Sequence, residues 1–261
     1  MKKLVKSLTI GTLVLLLAAC NSSGTKEKMT AEQLLDKSKK EMEASLEAVH
    51  SHIVYDDYKV TVHNGDFENP EKSGIKLDMQ TDAFLNPVKL HQETLVHPRG
   101  IQSYKMNLYR LGDQNFVSDA NKKEWEEEPS ESLEKLFGTL ASRSFPTLDL
   151  SLFDEFKNDF VLEPIEYGYA LTLSLNRQQF ERLRELVPDL GPQEDGFLII
   201  YKADLVITFN KSTSYVTSFK MSTDMRAFRD GNSYRARQKL NATYSYFNDI
   251  EPFQVPDQLV Q

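Results

Sequence analysis

The chain has 261 residues, 40% of them hydrophobic, with 31 Lys plus Arg against 39 Asp plus Glu and a formal net charge of −8. That length and apolar content suffice for one sizeable core, and the acidic excess disfavours nucleic acid as a partner. A single cysteine excludes intramolecular disulfides, Cys-rich zinc sites, CxxC redox motifs and iron–sulfur clusters.

Lys2, Lys3 and Lys6 form a positive n-region, followed by an apolar run from Leu8 to Leu17 that is too short for a stable membrane span. Leu17-Ala18-Ala19-Cys20 then resembles the bacterial lipobox, whose cysteine becomes diacylglyceryl-modified before cleavage. The expected division is a lipoprotein signal peptide over residues 1–19, lipid attachment at Cys20, a polar tether over 20–29 and one domain over 30–261. Cleavage removes three lysines and no acid, so the mature chain is more acidic still, and membrane association is assigned to the acyl anchor. The expected location is the outer, extracytoplasmic side of the cell membrane. A body without further cysteines fits export without oxidative folding.

Thr30-Ala31-Glu32-Gln33 has capping-box spacing, and Leu34, Leu35, Met42, Leu46 and Val49 recur at helical intervals, predicting an amphipathic helix of about five turns. After His50 the period becomes two. Tyr58, Val60 and Val62, then Ile75, Leu77 and Met79, then Val88 and Leu90 alternate with polar residues, predicting half-buried strands. The separators Asn64-Gly65-Asp66, Asn86-Pro87, His97-Pro98-Arg99-Gly100 and Gly112-Asp113 predict hairpins. Pro129-Ser130 opens a helical stretch with Leu133, Leu136, Phe137 and Leu140 on one face, and Leu150, Leu152, Phe153 and Phe156 mark a second short piece.

In the C-terminal half, Tyr167, Tyr169, Leu171, Leu173 and Leu175 share one strand face. Asn176, with Gln179 three residues on, predicts the cap of a helix through Phe180, Leu183, Leu186 and Val187 that stops at Pro188. Phe197, Ile199, Tyr201, Leu205, Ile207 and Phe209 fall on one face of a long strand or of two strands joined by a bend. Tyr215, Phe219, Met221 and Met225 follow, then Leu240, Ala242, Tyr244 and Tyr246 after the turn Asp230-Gly231-Asn232.

The sum is an α+β protein built on a large antiparallel sheet whose oily face must be covered by helices, another sheet or a ligand. The order of lipobox, tether, the helix opening Thr30-Ala-Glu-Gln-Leu-Leu, paired strands, an aromatic and Trp run (Tyr109, Gly112, Phe116, Trp125) and the last strand Asn241 to Pro256 resembles lipoproteins of the Gram-positive LolA/LppX/LprG-like class. The resemblance implies a strongly curved antiparallel half-barrel with helices on its concave face. It also implies an apolar cavity, which in related proteins holds acyl chains. It implies no catalytic residue.

The residues themselves show no G-x-S-x-G elbow, P-loop, H-E-x-x-H or EF-hand loop. His50 and His52 would face the same way on a strand, but His63, His91 and His97 are too scattered to complete a metal site, and solvated histidines are the simpler reading. Asp56-Asp57 and the acids around Trp125 (Glu124, Glu126, Glu127, Glu128) read as solvated loops or as an attraction for a cation or basic partner. The aromatic face fits either an ordinary packed core or a cavity wall. On the cavity reading its lining is Leu171, Leu173, Phe197, Ile199, Tyr201, Leu205, Ile207, Phe219, Met221 and Tyr244. The expected function is therefore non-catalytic binding of a lipid or other amphiphile by a membrane-anchored lipoprotein. No cofactor is expected beyond the covalent diacylglycerol at Cys20. The alternative is an envelope protein-interaction or sensing module with a packed core.

Overall fold

The computed structural model describes residues 29–119, 124–191 and 197–259, so the expected signal peptide, Cys20 and nearly all of the tether lie outside them. Every described helix and strand belongs to one compact unit, Ala31–Gln261. Helix α1 (Ala31–Ser45) begins where its capping signal predicts but is shorter than expected. The Leu46 N–H still donates to the Met42 carbonyl, whereas Val49 already lies in a strand.

There follow β1 (Ala48–Val62), β2 (Glu71–Leu85), β3 (Val88–Pro98), β4 (Tyr104–Leu111), β5 (Gln114–Asp119) and the two-residue β6 (Glu126–Glu127). The helical middle is α2 (Ser130–Phe137), α3 (Thr139–Ser142) and a 3-10 helix over Leu150–Phe156. After it come β7 (Val161–Ile165), β8 (Gly168–Ser174), α4 (Arg177–Leu186), β9 (Phe197–Asn210), β10 (Val216–Arg229) and β11 (Asn232–Ser245). All eleven described strands form one antiparallel sheet in the order β6-β5-β4-β3-β2-β1-β11-β10-β9-β8-β7. The sheet is curved and unclosed, the α+β half-barrel predicted. It consists of two meanders, joined where the first strand pairs with the last, from His50 opposite Ser245 to Val62 opposite Ser233.

Helices cover the inner face. Phe153 of the 3-10 helix packs its ring 5.7 Å from that of Phe219, the Tyr244 hydroxyl donates to the Ser144 carbonyl at 2.7 Å, and Ser45 and Tyr215 share a hydroxyl hydrogen bond of 2.7 Å. Leu150, Leu152, Phe153 and Phe156 are all buried, as are Leu133, Phe137 and Leu140. The cap of α4 is the one predicted, with Asn176 Oδ1 accepting from Gln179 N and Gln179 Oε1 accepting from Asn176 N. On the outer face the C-terminal segment crosses β2–β4. Phe253 lies against Phe84, His91 and Tyr109, Trp125 stacks edge-on to Tyr109 at 5.1 Å, and the Tyr109 hydroxyl donates to the Gln254 carbonyl.

Two strand faces differ from the sequence pattern. In β1 the inner row is Val49, Ser51, Ile53, Tyr55 and Asp57, all buried, so the predicted row of Tyr58, Val60 and Val62 is the outer one. Register explains this. Ile53 opposite Ala242 and Tyr55 opposite Leu240 lock the buried end, and a period of two then assigns every later residue its face. In β9, Ala203, Lys202 and Ile200 pair with consecutive residues of β10, leaving Tyr201 as the extra residue of a β-bulge. The bulge exchanges the faces upstream of it. Leu198 is buried, while Phe197 is 64% and Tyr201 55% exposed on the outer face, with Ile199 half-buried between them. These three do not line the interior. Tyr167 and Tyr246 also leave the predicted inner rows, lying exposed in turns beyond β8 and β11.

Candidate functional site

The inner face changes character along single strands. At the end where β1 begins it carries Val49 and Ile53 of β1 with Leu240, Ala242 and Tyr244 of β11, all buried. Towards the other end the same row of β1 continues as Tyr55, Asp57 and Lys59, and β11 contributes Gln238. Gln238 is the keystone of this second region. Its Nε2 donates to the Tyr55 hydroxyl (3.2 Å) and to the Asp189 carbonyl (2.9 Å), and its Oε1 accepts from Gly191 N (2.8 Å). The segment after α4 is thereby tied to the sheet.

Asp189 in turn reaches the α2–α3 junction, where its Oδ2 accepts from Thr139 N at 3.1 Å. Gly138 at that junction has φ +83°, and a Cβ there would fall 2.6 Å from Asp189 Oδ2, so glycine serves both the backbone turn and the close approach.

Between β1, the α2–α3 junction and Asp189 lies a groove of about 680 Å³, within the range of small-molecule sites. Its lining is amphipathic: Tyr55, Ile75, Leu136, Phe137 and Pro188 beside Asp57, Lys59, Glu134, Lys135 and Asp189. Asp57 is only 8% exposed. Its Oδ2 receives Lys59 Nζ at 3.0 Å, while its Oδ1, like Asp189 Oδ1, is buried without a hydrogen-bond partner among the described residues. Burial pushes the Asp57 carboxyl up from its ordinary value, opposed by Lys59 and reinforced by Asp189. Burial, and then the neighbouring Asp57 and Asp189, also push up the Tyr55 hydroxyl, which is therefore neutral and polar at the groove wall. Chemically, the groove is lined by two acids, Asp57 and Asp189, beside an apolar surface.

A second groove of about 500 Å³ lies on the other side of the α2–α3 junction. It shares Glu134, Thr139 and Pro188 with the first and adds Arg110 and Arg143. A third, of about 300 Å³, sits at the C-terminal end of α1 among Lys39, Met42, Leu46, Leu85 and Leu148. None of the ten predicted lining residues lines any of these grooves. Leu171, Leu173, Leu205, Ile207, Phe219, Met221 and Tyr244 are buried on the inner face among the packed helices, and Phe197, Ile199 and Tyr201 are outside.

His50 and His52 do face the same way, outward, and each meets a carboxylate of β2: His50 Nδ1 with Asp82 at 2.7 Å, His52 Nε2 with Asp78 at 2.9 Å. His63 meets Glu71, His97 meets Ser103, and His91 stacks on Tyr109. Among the described residues no group of three or more His, Cys, Asp or Glu side chains is placed to hold a metal ion. Of the predicted acidic pair, Asp56 points outward beside Arg99 and Asp57 inward. Glu126 and Glu127 are exposed in β6. Sequence reasoning missed Asp57, Asp189 and Gln238 as a group. The one local trace of it is an acid two residues after Tyr55, which reads as an inner acid only once the pairing with β11 has fixed the face of β1.

Residues 28–261 match a family of unknown function, DUF6612. The chain belongs to that family. No curated protein matches it. Among solved structures it is similar to LprF from Mycobacterium bovis, with 11% identity over 87% of this chain and 96% of that one and a TM-score of 0.43. It is also similar to a beta-barrel-like protein of domain of unknown function DUF1849 from Brucella abortus, with 10% identity over 76% and 99% of the two chains and a TM-score of 0.21. No described helix of this DUF6612 protein is long and apolar enough to cross a membrane.

Proposed function

We propose that this DUF6612 member is a non-catalytic, extracytoplasmic binding protein, held to the cell membrane by diacylglycerol on Cys20. Residues 1–19 act as its signal peptide, 20–29 as its tether and 30–261 as its binding domain. The ligand is an amphiphile whose polar end bears hydrogen-bond donors or a positive charge. It lies in the groove between β1 and the α2–α3 junction. The observation that carries this reading is Asp57, a residue of the groove lining whose buried Oδ1 has no hydrogen-bond partner among the described residues, because a buried acceptor left without a donor costs about 1–3 kcal/mol that a ligand donor reaching it restores. Ile75, Leu136 and Pro188 give the apolar part of the ligand a surface, worth about 0.8 kcal/mol per buried CH₂.

The test is native mass spectrometry with lipid extraction on the body from Thr30 onward, after exposure to membranes of the source organism. A stoichiometric amphiphile, lost in Asp57→Asn, is the expected result; a clean apo mass and no uptake of a fluorescent amphiphile sinks the reading. A second reading, an envelope protein-interaction module, is favoured by the packed inner face around Phe153, Phe219 and Tyr244. A crosslinked envelope protein recovered from a clean apo body would move the conclusion there.

A further inference from the structure

The outer face of the sheet carries a feature that the groove does not use. Ile199, Arg226, Arg235, Val60 and Lys72 stand side by side in register across β9, β10, β11, β1 and β2. Two arginines directly opposite each other repel. Arg235 is compensated by a two-point contact with Asp224, 2.8 Å and 2.7 Å. Arg226 has no carboxylate partner among the described residues; its Nε donates to Ser233 Oγ, and its guanidinium lies 4.8 Å from the centre of the Phe228 ring. In the adjoining rows Lys202, Arg237, Lys239 and Lys76 stand with Asp224, Asp204 and Asp56, and Arg99 reaches Asp56 as a further cation. The acids of the 63–70 loop lie beyond the last paired row. On a chain of net charge −8 this flank is therefore basic.

The bulge in β9 sets apolar rings beside these cations. Phe197 (64% exposed) stands opposite Phe228, and Tyr201 (55% exposed) has the Arg235 guanidinium 5.4 Å from its ring centre. Arginine beside exposed aromatic rings suits a boundary between phosphate and hydrocarbon. A soluble polyanion would use the cations and leave the rings in water.

We propose that this flank docks on an anionic phospholipid surface, with Arg226, Arg235 and Lys72 against lipid phosphates and Phe197, Tyr201 and Phe228 in the headgroup zone. The inference goes beyond the groove and stands without it. It borrows only the tether, since ten residues reach at most about 35 Å and so hold the domain close to the bilayer.

The experiment is co-sedimentation of the Ala31–Gln261 body, which contains every described element and the whole core, with vesicles of phosphatidylglycerol and phosphatidylcholine or of phosphatidylcholine alone. The expected result is binding to the anionic vesicles only, weakening as salt rises. Arg226→Gln with Arg235→Gln weakens it about twenty-five-fold, at roughly fivefold per cation near the surface. Phe197→Ser weakens it several-fold without changing the salt dependence. Thermal melts followed by circular dichroism check folding, and should the arginine pair fail to fold, Lys72→Gln with Phe197→Ser reads the same face.

Absence of binding to anionic vesicles overturns the proposal, as does binding that none of these substitutions alters. Soluble polyphosphate bound as tightly as the vesicles, with Phe197→Ser indifferent, overturns it in favour of a polyanion site. Amphiphile uptake in vesicle-free solution reports on the groove alone, so the two readings fail separately.

Discussion

The two ends of the inner sheet face are built from the same strands and differ in what fills them. Where β1 starts and β11 ends, the inner rows are apolar and the helices close on them, with the Phe153 and Phe219 rings 5.7 Å apart. Farther along, the same rows carry Tyr55, Asp57 and Gln238, and the covering segments stand off to leave a groove of about 680 Å³. Alternation decides which face a residue occupies. Polarity within that face decides whether the space above it is filled. A charged inner residue is costly to pack over without a partner, so the cover loosens over Asp57 of β1, while Met225, Ala227 and Ala236 on the neighbouring strands stay buried.

The comparison can be broken most violently at the packed end. Phe219→Ala is expected to cost about 3–5 kcal/mol, through lost burial and the cavity left beneath Phe153; denaturant melts measure it, and a cost below about 1 kcal/mol would mean that this end is as open as the other. At the boundary, Gln238→Ala removes three hydrogen bonds, two that tie Asp189 and Gly191 to β11 and one to Tyr55 of β1. It is expected to cost about 1–3 kcal/mol and to raise hydrogen exchange after α4 while leaving the core amides protected.

The gentlest effect belongs to the groove itself. Burial holds the Asp57 carboxyl above its ordinary value, so the folded form keeps this proton over a pH range in which the unfolded chain has lost it. Stability contributed by this group therefore falls as pH rises from about 4 through the raised folded value. Asp57→Asn should flatten that slope, and melts across this range check it. An unchanged slope would mean that the carboxyl is better solvated than its 8% exposure indicates.

Much of this was legible in the sequence, and the failures share a cause. The cap of α4, the 3-10 segment through Phe156 and the inner row of β2 follow from local rules, because their signals lie within a few residues of one another. The face of β1 does not, since Tyr58, Val60 and Val62 form as good an apolar row as the true one and only the pairing with β11 chooses between them. The bulge at Tyr201 is equally invisible, as it is defined by a partner strand. The groove fails for a stronger reason. Asp57, Asp189 and Gln238 are distant in the chain, and their grouping exists only after the sheet has closed on the helices.

The seam between β1 and β11 sets a schedule for synthesis. About 170 residues separate the end of β1 from the start of β11, which at roughly 5–20 residues per second is on the order of 10–30 s of elongation. Throughout that interval β1 can pair on one side only, with β2, and its other edge of backbone N–H and C=O groups waits for a partner. The meander β1–β5 is synthesised early, but Tyr55 and the Asp189 segment gain the hydrogen bonds that tie them together only when Gln238 arrives. The closed seam is thus the last feature the nascent chain acquires, and a truncation anywhere before β11 leaves an adhesive strand edge in place of a smaller domain.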